Sequence, residues 1–275
     1  MELHLLGKMR IPKDIEYIIR TLNVNQYEAF IVGGACRDFI LGKDPKDFDI
    51  ATSATPEQIK NLFPSAVTGG NSFCVSFVNA VEVATYRKDR ADHAEIANTL
   101  EEDVIRRDFT MNALAYSPIS CGFEDYVGGL EDLQNRKLRF VGEPERRIIE
   151  DPVRILRGIR FASVYNLRIE KETYFEMFRL RHLLKDIPKE RILLEVTKAF
   201  KSNNTHRFLT LLEEMEMLEY VFPSMVELKN IDGGGYHAET VRSHCFNAVK
   251  AIEDKHWLLK LAALYHDVGK QNGGS

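Results

Sequence analysis

Residues 30–51 read FIVGGACRDFILGKDPKDFDIA, and the fold of the N-terminal half turns on them. The apolar run Phe30-Ile31-Val32 predicts a strand, and Gly33-Gly34 follows it where a short helix begins. With no side chains in the way, backbone N–H groups there can approach a phosphate, and the helix N-terminus attracts its charge. A second strand is expected through Asp47-Phe48-Asp49-Ile50. Its period of two places Asp47 and Asp49 on one face and Phe48 and Ile50 on the other. Two acceptor-only carboxylates beside a phosphate cradle suit a hard divalent cation such as Mg2+.

Taken singly, a Gly-Gly turn is usually only a turn, and a lone Asp-x-Asp is usually a solvated edge or cap. Their combination is more specific, and the segment resembles the polymerase-beta-like nucleotidyltransferase fold. That resemblance implies a third acid, flanked by hydrophobic residues on a neighbouring strand, and Val81-Glu82-Val83 fits it. A plain surface strand residue is the equally weighted alternative for Glu82.

Composition bounds what the rest can be. At 275 residues the chain can bury a sizeable core and is expected to split into two or three domains. Apolar content of 44% and charged content of 28% are ordinary for a soluble protein. No apolar run approaches the roughly 20 residues of a membrane span, and no signal peptide is evident, so the cytoplasm is the expected location. Cys36, Cys74, Cys121 and Cys245 form no C-x-x-C pair, which argues for reduced, mostly buried thiols rather than a zinc cluster. With 37 Lys plus Arg against 41 Asp plus Glu, a nucleic-acid surface would have to be a local basic patch on an acidic body.

Along the chain, Ile11, Ile15, Ile18, Ile19 and Leu22 share one face of a helix that starts near Pro12 and stops around Asn23 to Asn25. Thr55-Pro56-Glu57 opens another helix, whose buried side is Ile59, Leu62 and Phe63. Runs 74–78 and 81–86 form a hairpin about Asn79-Ala80. The polar stretch 87–98, with Arg87, Lys88, Arg90 and His93, reads as an exposed, mobile loop. Residues 100–115 open with Glu101, Glu102 and Asp103 and continue into RRDFTMNAL. The second Gly-Gly, in DYVGGLEDL over 125–133, reads as a turn near a domain junction, with the boundary at about Val141.

Beyond that point helical signals dominate. Glu150-Asp151-Pro152 reads as a helix N-terminus on which Asp151, Arg154 and Arg157, three apart, share a face. Val153, Leu156 and Phe161 can point inward. An intrahelical ion pair is the plain reading, worth a few tenths of a kcal/mol. Base recognition is the sharper one: cytosine and adenine both present an amine donor beside a ring-nitrogen acceptor, and uracil and guanine the opposite order. A carboxylate with a guanidinium therefore accepts C and A and rejects U and G. KERILLE at 189–195 starts another helix, in which Glu190, Arg191 and Glu195 are expected to lock neighbours together, and 208–220 forms a further amphipathic helix.

GGACRD with DFD, RRDFTMNA, DYVGGLEDL, EDPVRILR and KERILLE together resemble the bacterial tRNA nucleotidyltransferases and poly(A) polymerases, in the family's order and over nearly the whole chain. The resemblance implies an α+β protein: a catalytic nucleotidyltransferase head over 1–140, an all-helical base-reading neck over 141–200, and a helical body over 201–275. It implies that Asp47 and Asp49 bind Mg2+, with Glu82 as the third acid, and that Gly33, Gly34 and Arg37 hold the triphosphate. Arg107, Asp108 and Asn112 sit in the motif used for ribose and phosphates, and Asp151 and Arg154, with Arg157 nearby, where the family reads the base. The implied partners are the tRNA 3′ acceptor end and CTP and/or ATP, with no membrane; the implied reaction is metal-assisted addition of CMP and/or AMP. The loop before RRDFT is shorter than in many CCA-adding members, so a CC-adding or an A-adding specialist stays open beside full CCA addition, and poly(A) polymerase is a further reading.

The C-terminal region resembles the opening of an HD domain, a metal-dependent phosphohydrolase module. Gly233-Gly234-Gly235-Tyr236-His237 leads into His244 and then His266-Asp267, three of the four expected ligands. The fourth would lie beyond Ser275, near which a truncation point is expected, and a buried structural role for these residues is the favoured reading.

Overall fold

The computed structural model describes residues 8–69, 74–89, 94–231, 240–253 and 256–272. Arg90, His93 and the Gly233–His237 stretch lie outside the described residues. The chain divides into two compact units, 1–142 and 143–275.

The first unit is built on a seven-stranded sheet among the described residues, in the order β3-β4-β5-β2-β1-β8-β9. These are β1 (Ala29–Val32), β2 (Asp49–Thr52), β3 (Val67–Thr68), β4 (Val75–Val78), β5 (Val81–Thr85), β8 (Ala115–Ser117) and β9 (Gly122–Glu124). Neighbours run antiparallel except β2 and β5, which are parallel. Its helices are α1 (Lys13–Val24), α2 (Gly34–Ile40), α3 (Pro56–Leu62), α4 (Leu100–Ile105) and α5 (Gly129–Gln134). On α1, Ile15, Ile18, Ile19 and Leu22 are buried, each worth about 2 kcal/mol, and the helix packs against β1. A capping box between Thr55 and Gln58 and proline at the first position start α3. Val32, Ala51, Ala113 and Ala115 join Tyr86, Leu100, Val104 and Val141 in one core, so the strands and the RRDFTMNA segment share a single apolar interior.

Three expectations for this unit change. β2 begins at Asp49, so Asp47 and Phe48 precede it and strand alternation does not set their facing. Residues 87–98 are not a bare loop: β6 (Arg87–Asp89) and β7 (Ala94–Ile96) pair antiparallel. DYVGGLEDL is a turn followed by a helix inside the head. The Asp125 carboxylate accepts from the N–H groups of Val127, Gly128, Gly129 and Leu130 at 2.9–3.2 Å and so caps α5. Thr110 then donates to the buried Asp132 at 2.7 Å, fastening the RRDFT turn to α5.

The second unit is helical, with α6 (Pro144–Glu150), α7 (Val153–Val164), α8 (Lys171–Arg179), α9 (Lys189–Phe200), α10 (Thr205–Glu214), α11 (Leu218–Val221), α12 (Ser224–Glu227), α13 (Val241–Lys250) and α14 (Trp257–Tyr265). Central α7 buries Val153, Leu156 and Phe161 and packs on α9 and α10. The helix expected through 208–220 breaks after Glu214, and Glu216 takes a left-handed φ of 53° before α11. Lys260, buried on α14, donates to Ser202 O at 2.5 Å and Thr205 Oγ1 at 3.2 Å, where α9 gives way to α10.

Candidate active site

Sheet register assembles the head site. Val32, the last residue of β1, pairs with Asp49 on one side and Ala115 on the other, so Gly33, Asp49 and the RRDFTMNA segment meet at one end of the sheet. Gly33 adopts a left-handed φ of 69°, which a residue without a Cβ takes at no steric cost. A Cβ there would stand 3.6 Å from Asp49 Oδ2 and 3.9 Å from Arg107 Nη1. Arg37 donates to Asp38 Oδ1 at 3.0 Å and, across 75 positions of sequence, to Asn112 Oδ1 at 2.8 Å. Asn112 donates to Asp108 Oδ1 at 3.3 Å, and its carbonyl accepts from Arg107 Nη1 at 3.3 Å. A cavity of about 440 Å³ opens beside this set, lined by Gly34, Arg37, Asp38, Lys43, Asp44, Lys46 and Asp47.

The acids feel one another. Parallel register between Ile50 and Val83 brings Asp49 and Glu82 to the same end of β2 and β5. Burial, and then the charge of Asp47, push the Asp49 carboxyl up, with Arg107 opposing. Burial, and then Asp49, push Glu82 up, with Arg87 opposing. Carboxylates held together against their own repulsion are the donor set a hard divalent cation relieves, so Asp47, Asp49 and Glu82 fit such an ion. They are not drawn into a closed three-ligand cluster. Among the described residues that closure occurs elsewhere, at His244, His266 and Asp267, whose ligand atoms lie within 4.8 Å of one another.

The neck residues differ from expectation. Asp151 is not on α7: it follows α6 with extended backbone, and the helix begins after Pro152. Asp151, Arg154 and Arg157 therefore do not form a three-apart helical row. Arg191 donates to Asp151 Oδ2 at 2.8 Å. Arg154 donates to Glu150 Oε2 at 2.8 Å and to the Arg147 carbonyl at 2.9 Å. Arg157 lies 3.6 Å from Glu195, which also takes Arg160 at 2.6 Å. Glu195 and Arg191 thus lock helices together, as the sequence reading expects.

The buried structural role favoured for the C-terminal His and Asp residues does not hold. His244 and His266 side chains are 44% and 38% exposed, and both face Asp267 Oδ2, at 3.8 and 3.4 Å. Sequence reading also passed over Asp103, which binds both arginines of the RRD motif. Its position three and four residues before them on a helix was the available signal. Of the thiols, Cys36, Cys74 and Cys245 are buried and Cys121 is exposed.

Residues 29–139 match the family described as the poly A polymerase head domain, and residues 166–228 match the probable RNA and SrmB-binding site of polymerase A. The chain belongs to the tRNA nucleotidyltransferase and poly(A) polymerase family. Its head has the family's polymerase-beta-like fold, and the family implies a divalent metal ion. The chain is 38% identical over 245 residues to poly(A) polymerase I of Salmonella typhi, covering 82% of this chain and 53% of that protein. It is also 38% identical over 222 residues to the CCA-adding enzyme of Lactococcus lactis, covering 74% and 54%. Among solved structures, the Bacillus stearothermophilus CCA-adding enzyme in complex with CTP matches with TM-score 0.73 and 34% identity over 80% of this chain and 57% of that one. The chain spans about half the length of the curated relatives it matches. No helix among the described residues is long and apolar enough to cross a membrane.

Proposed function

We propose that this chain carries the catalytic part of a template-independent nucleotidyltransferase that adds CMP and/or AMP to the 3′ end of tRNA. The observation that supports this best is the convergence of Gly33, Asp49, Arg107, Asn112 and Arg37 at one end of the head sheet. Gly33 and Gly34 let phosphate oxygens approach backbone N–H groups, and Arg37 and Arg107 bring cationic donors to the triphosphate. Asp108 and Asn112 orient the ribose. Asp151 and Arg154, with Arg157 nearby, read the base within a neck over 141–200, and 201–275 forms the body. Asp47 and Asp49, with Glu82, would hold two Mg2+ ions, which supply nucleophile activation at the tRNA 3′-hydroxyl and stabilise charge on the leaving pyrophosphate.

The test uses tRNA transcripts ending before CCA, after C and after CC, each given CTP and ATP separately and together with Mg2+. Two C residues added to the first transcript identify a CC-adding enzyme, a single A on the CC-ended transcript an A-adding one, and completion a CCA-adding one. Open-ended A tails on unrelated RNA identify a poly(A) polymerase, a reading to which the equal identity of the Salmonella relative lends weight. No extension of any RNA overturns the proposal.

Convergence of His244, His266 and Asp267 favours a second reading for the C-terminal unit, a divalent-metal phosphohydrolase of the HD class. Hydrolysis of 2′,3′-cyclic nucleotides to the 2′- or 3′-monophosphate that survives Asp49→Ala and is lost in His266→Ala supports it; hydrolysis lost in neither excludes it.

A further inference from the structure

We infer that Asp103, which touches no substrate in the scheme above, is a positioning residue that aims Arg107 at the nucleotide; the inference rests on that scheme's assignment of Arg107 to the triphosphate. Asp103 is only 2% exposed. Its Oδ2 accepts from Arg107 Nε at 3.3 Å and Nη2 at 2.9 Å. Two bonds to one edge fix the plane of a guanidinium, which a single contact does not. The remaining Nη1 then faces the Asn112 carbonyl, Gly33 and Asp49.

The other oxygen does related work. Oδ1 accepts from Arg106 Nε at 3.0 Å and Nη2 at 2.8 Å, and from the backbone N–H of Arg87 at 3.2 Å. One buried carboxylate therefore ties α4, the RRD arginines and the start of β6 together. A single carboxylate balances one of the two guanidinium charges it holds, and Arg107 directs its outward edge to the Gly33 turn. An arginine gripped from behind loses little side-chain freedom when an anion arrives, so the grip contributes to nucleotide affinity rather than to packing alone.

A double-mutant cycle tests this, with CTP and ATP binding measured by calorimetry in Mg2+ and steady-state kinetics on tRNA. Asp103→Asn and Asp103→Glu should each weaken nucleotide binding about tenfold and raise KM more than they lower kcat. In an Arg107→Ala background the same changes should add less than about twofold. Asp103→Glu keeps the buried charge, so its cycle carries the test if Asp103→Asn does not fold, and thermal melting of each variant establishes which fold. Full additivity with Arg107→Ala, or wild-type binding in Asp103→Asn and Asp103→Glu beside a weakened Arg107→Ala, overturns this inference alone. Wild-type protein that binds neither nucleotide, or Arg107→Ala that binds as wild type, overturns the nucleotidyl-transfer assignment and this inference with it.

Discussion

The guanidinium of Arg191 holds Asp151 Oδ2 at 2.8 Å, while Arg154, the nearest arginine to Asp151 along the chain, is taken by Glu150. The first half of the proposed base-reading pair is thus tethered from α9, and the second from α6. With Oδ1 also accepting from the Val153 backbone N–H at 3.4 Å, the direction of the Asp151 carboxylate is preset.

Because the Arg191–Asp151 pair is 46% and 24% exposed, its worth to stability is about 0.2–1 kcal/mol, and Arg191→Gln should change the melting temperature little. The same variant should raise KM for CTP by about two- to fivefold. Asp151→Asn replaces one acceptor by a donor and should lower discrimination of CTP against UTP at least about tenfold, read as the ratio of kcat/KM values. Unchanged discrimination in Asp151→Asn removes Asp151 from base reading.

Asp49→Asn should lower nucleotide incorporation at least about 10²-fold. Its effect on stability has the opposite sign. Burial and Asp47 raise the folded-state pKa of Asp49, so its ionised form is disfavoured by folding at neutral pH, and that penalty disappears below the unfolded value. The amide should melt at or above wild type at pH 7, with the difference closing on acidification. A loss of stability at neutral pH contradicts this.

Raised Asp49 and Glu82 also predict the acid limb of activity. Incorporation should fall on acidification at a pH above the ordinary carboxylate range, because the acids take up protons early. More Mg2+ should move that limb to lower pH, since a cation favours the ionised forms. A pH–rate profile at two Mg2+ concentrations reads both, and a limb unmoved by Mg2+ counts against these acids as ligands.

Glu195 is 2% exposed and lies 2.6 Å from Arg160 and 3.6 Å from Arg157. Glu195→Gln removes the buried carboxylate charge that faces Arg160 and Arg157 and should cost about 3 kcal/mol, seen as a lower urea midpoint. A midpoint within error of wild type shows the pair to be solvated.

Two glycines should differ sharply. A Cβ on Gly129 would lie 2.2 Å from the Thr110 carbonyl oxygen, a backbone atom that cannot swing away, so Gly129→Ala should cost more than about 3 kcal/mol. Gly33→Ala meets nothing closer than 3.6 Å and pays for a backbone at φ 69° and ψ −127° that glycine alone adopts readily, about 1–3 kcal/mol. Its larger effect should be on nucleotide KM. Equal melting temperatures for the two variants refute the comparison.

Local pattern alone determined much of this protein. The 3.6-residue period of Ile15, Ile18, Ile19 and Leu22, the Thr55-Pro56 cap and the β-rich runs about Asn79-Ala80 each encode their element, because backbone geometry repeats over a few residues. Motif order was enough to identify the family. Tertiary structure decided which charges meet. The sequence offers Asp151 two arginines on α7, yet Arg191, 40 positions away, takes it, because Pro152 starts the helix after Asp151 and leaves its carboxylate outside the helical row. Strand order did the same for Asp49: β1 and β8 bring Gly33 and Arg107 to it, and β5 brings Glu82. Ion pairing depends on distance and burial in space, and several acids and bases lie equally near in sequence, so only the packed chain selects among them.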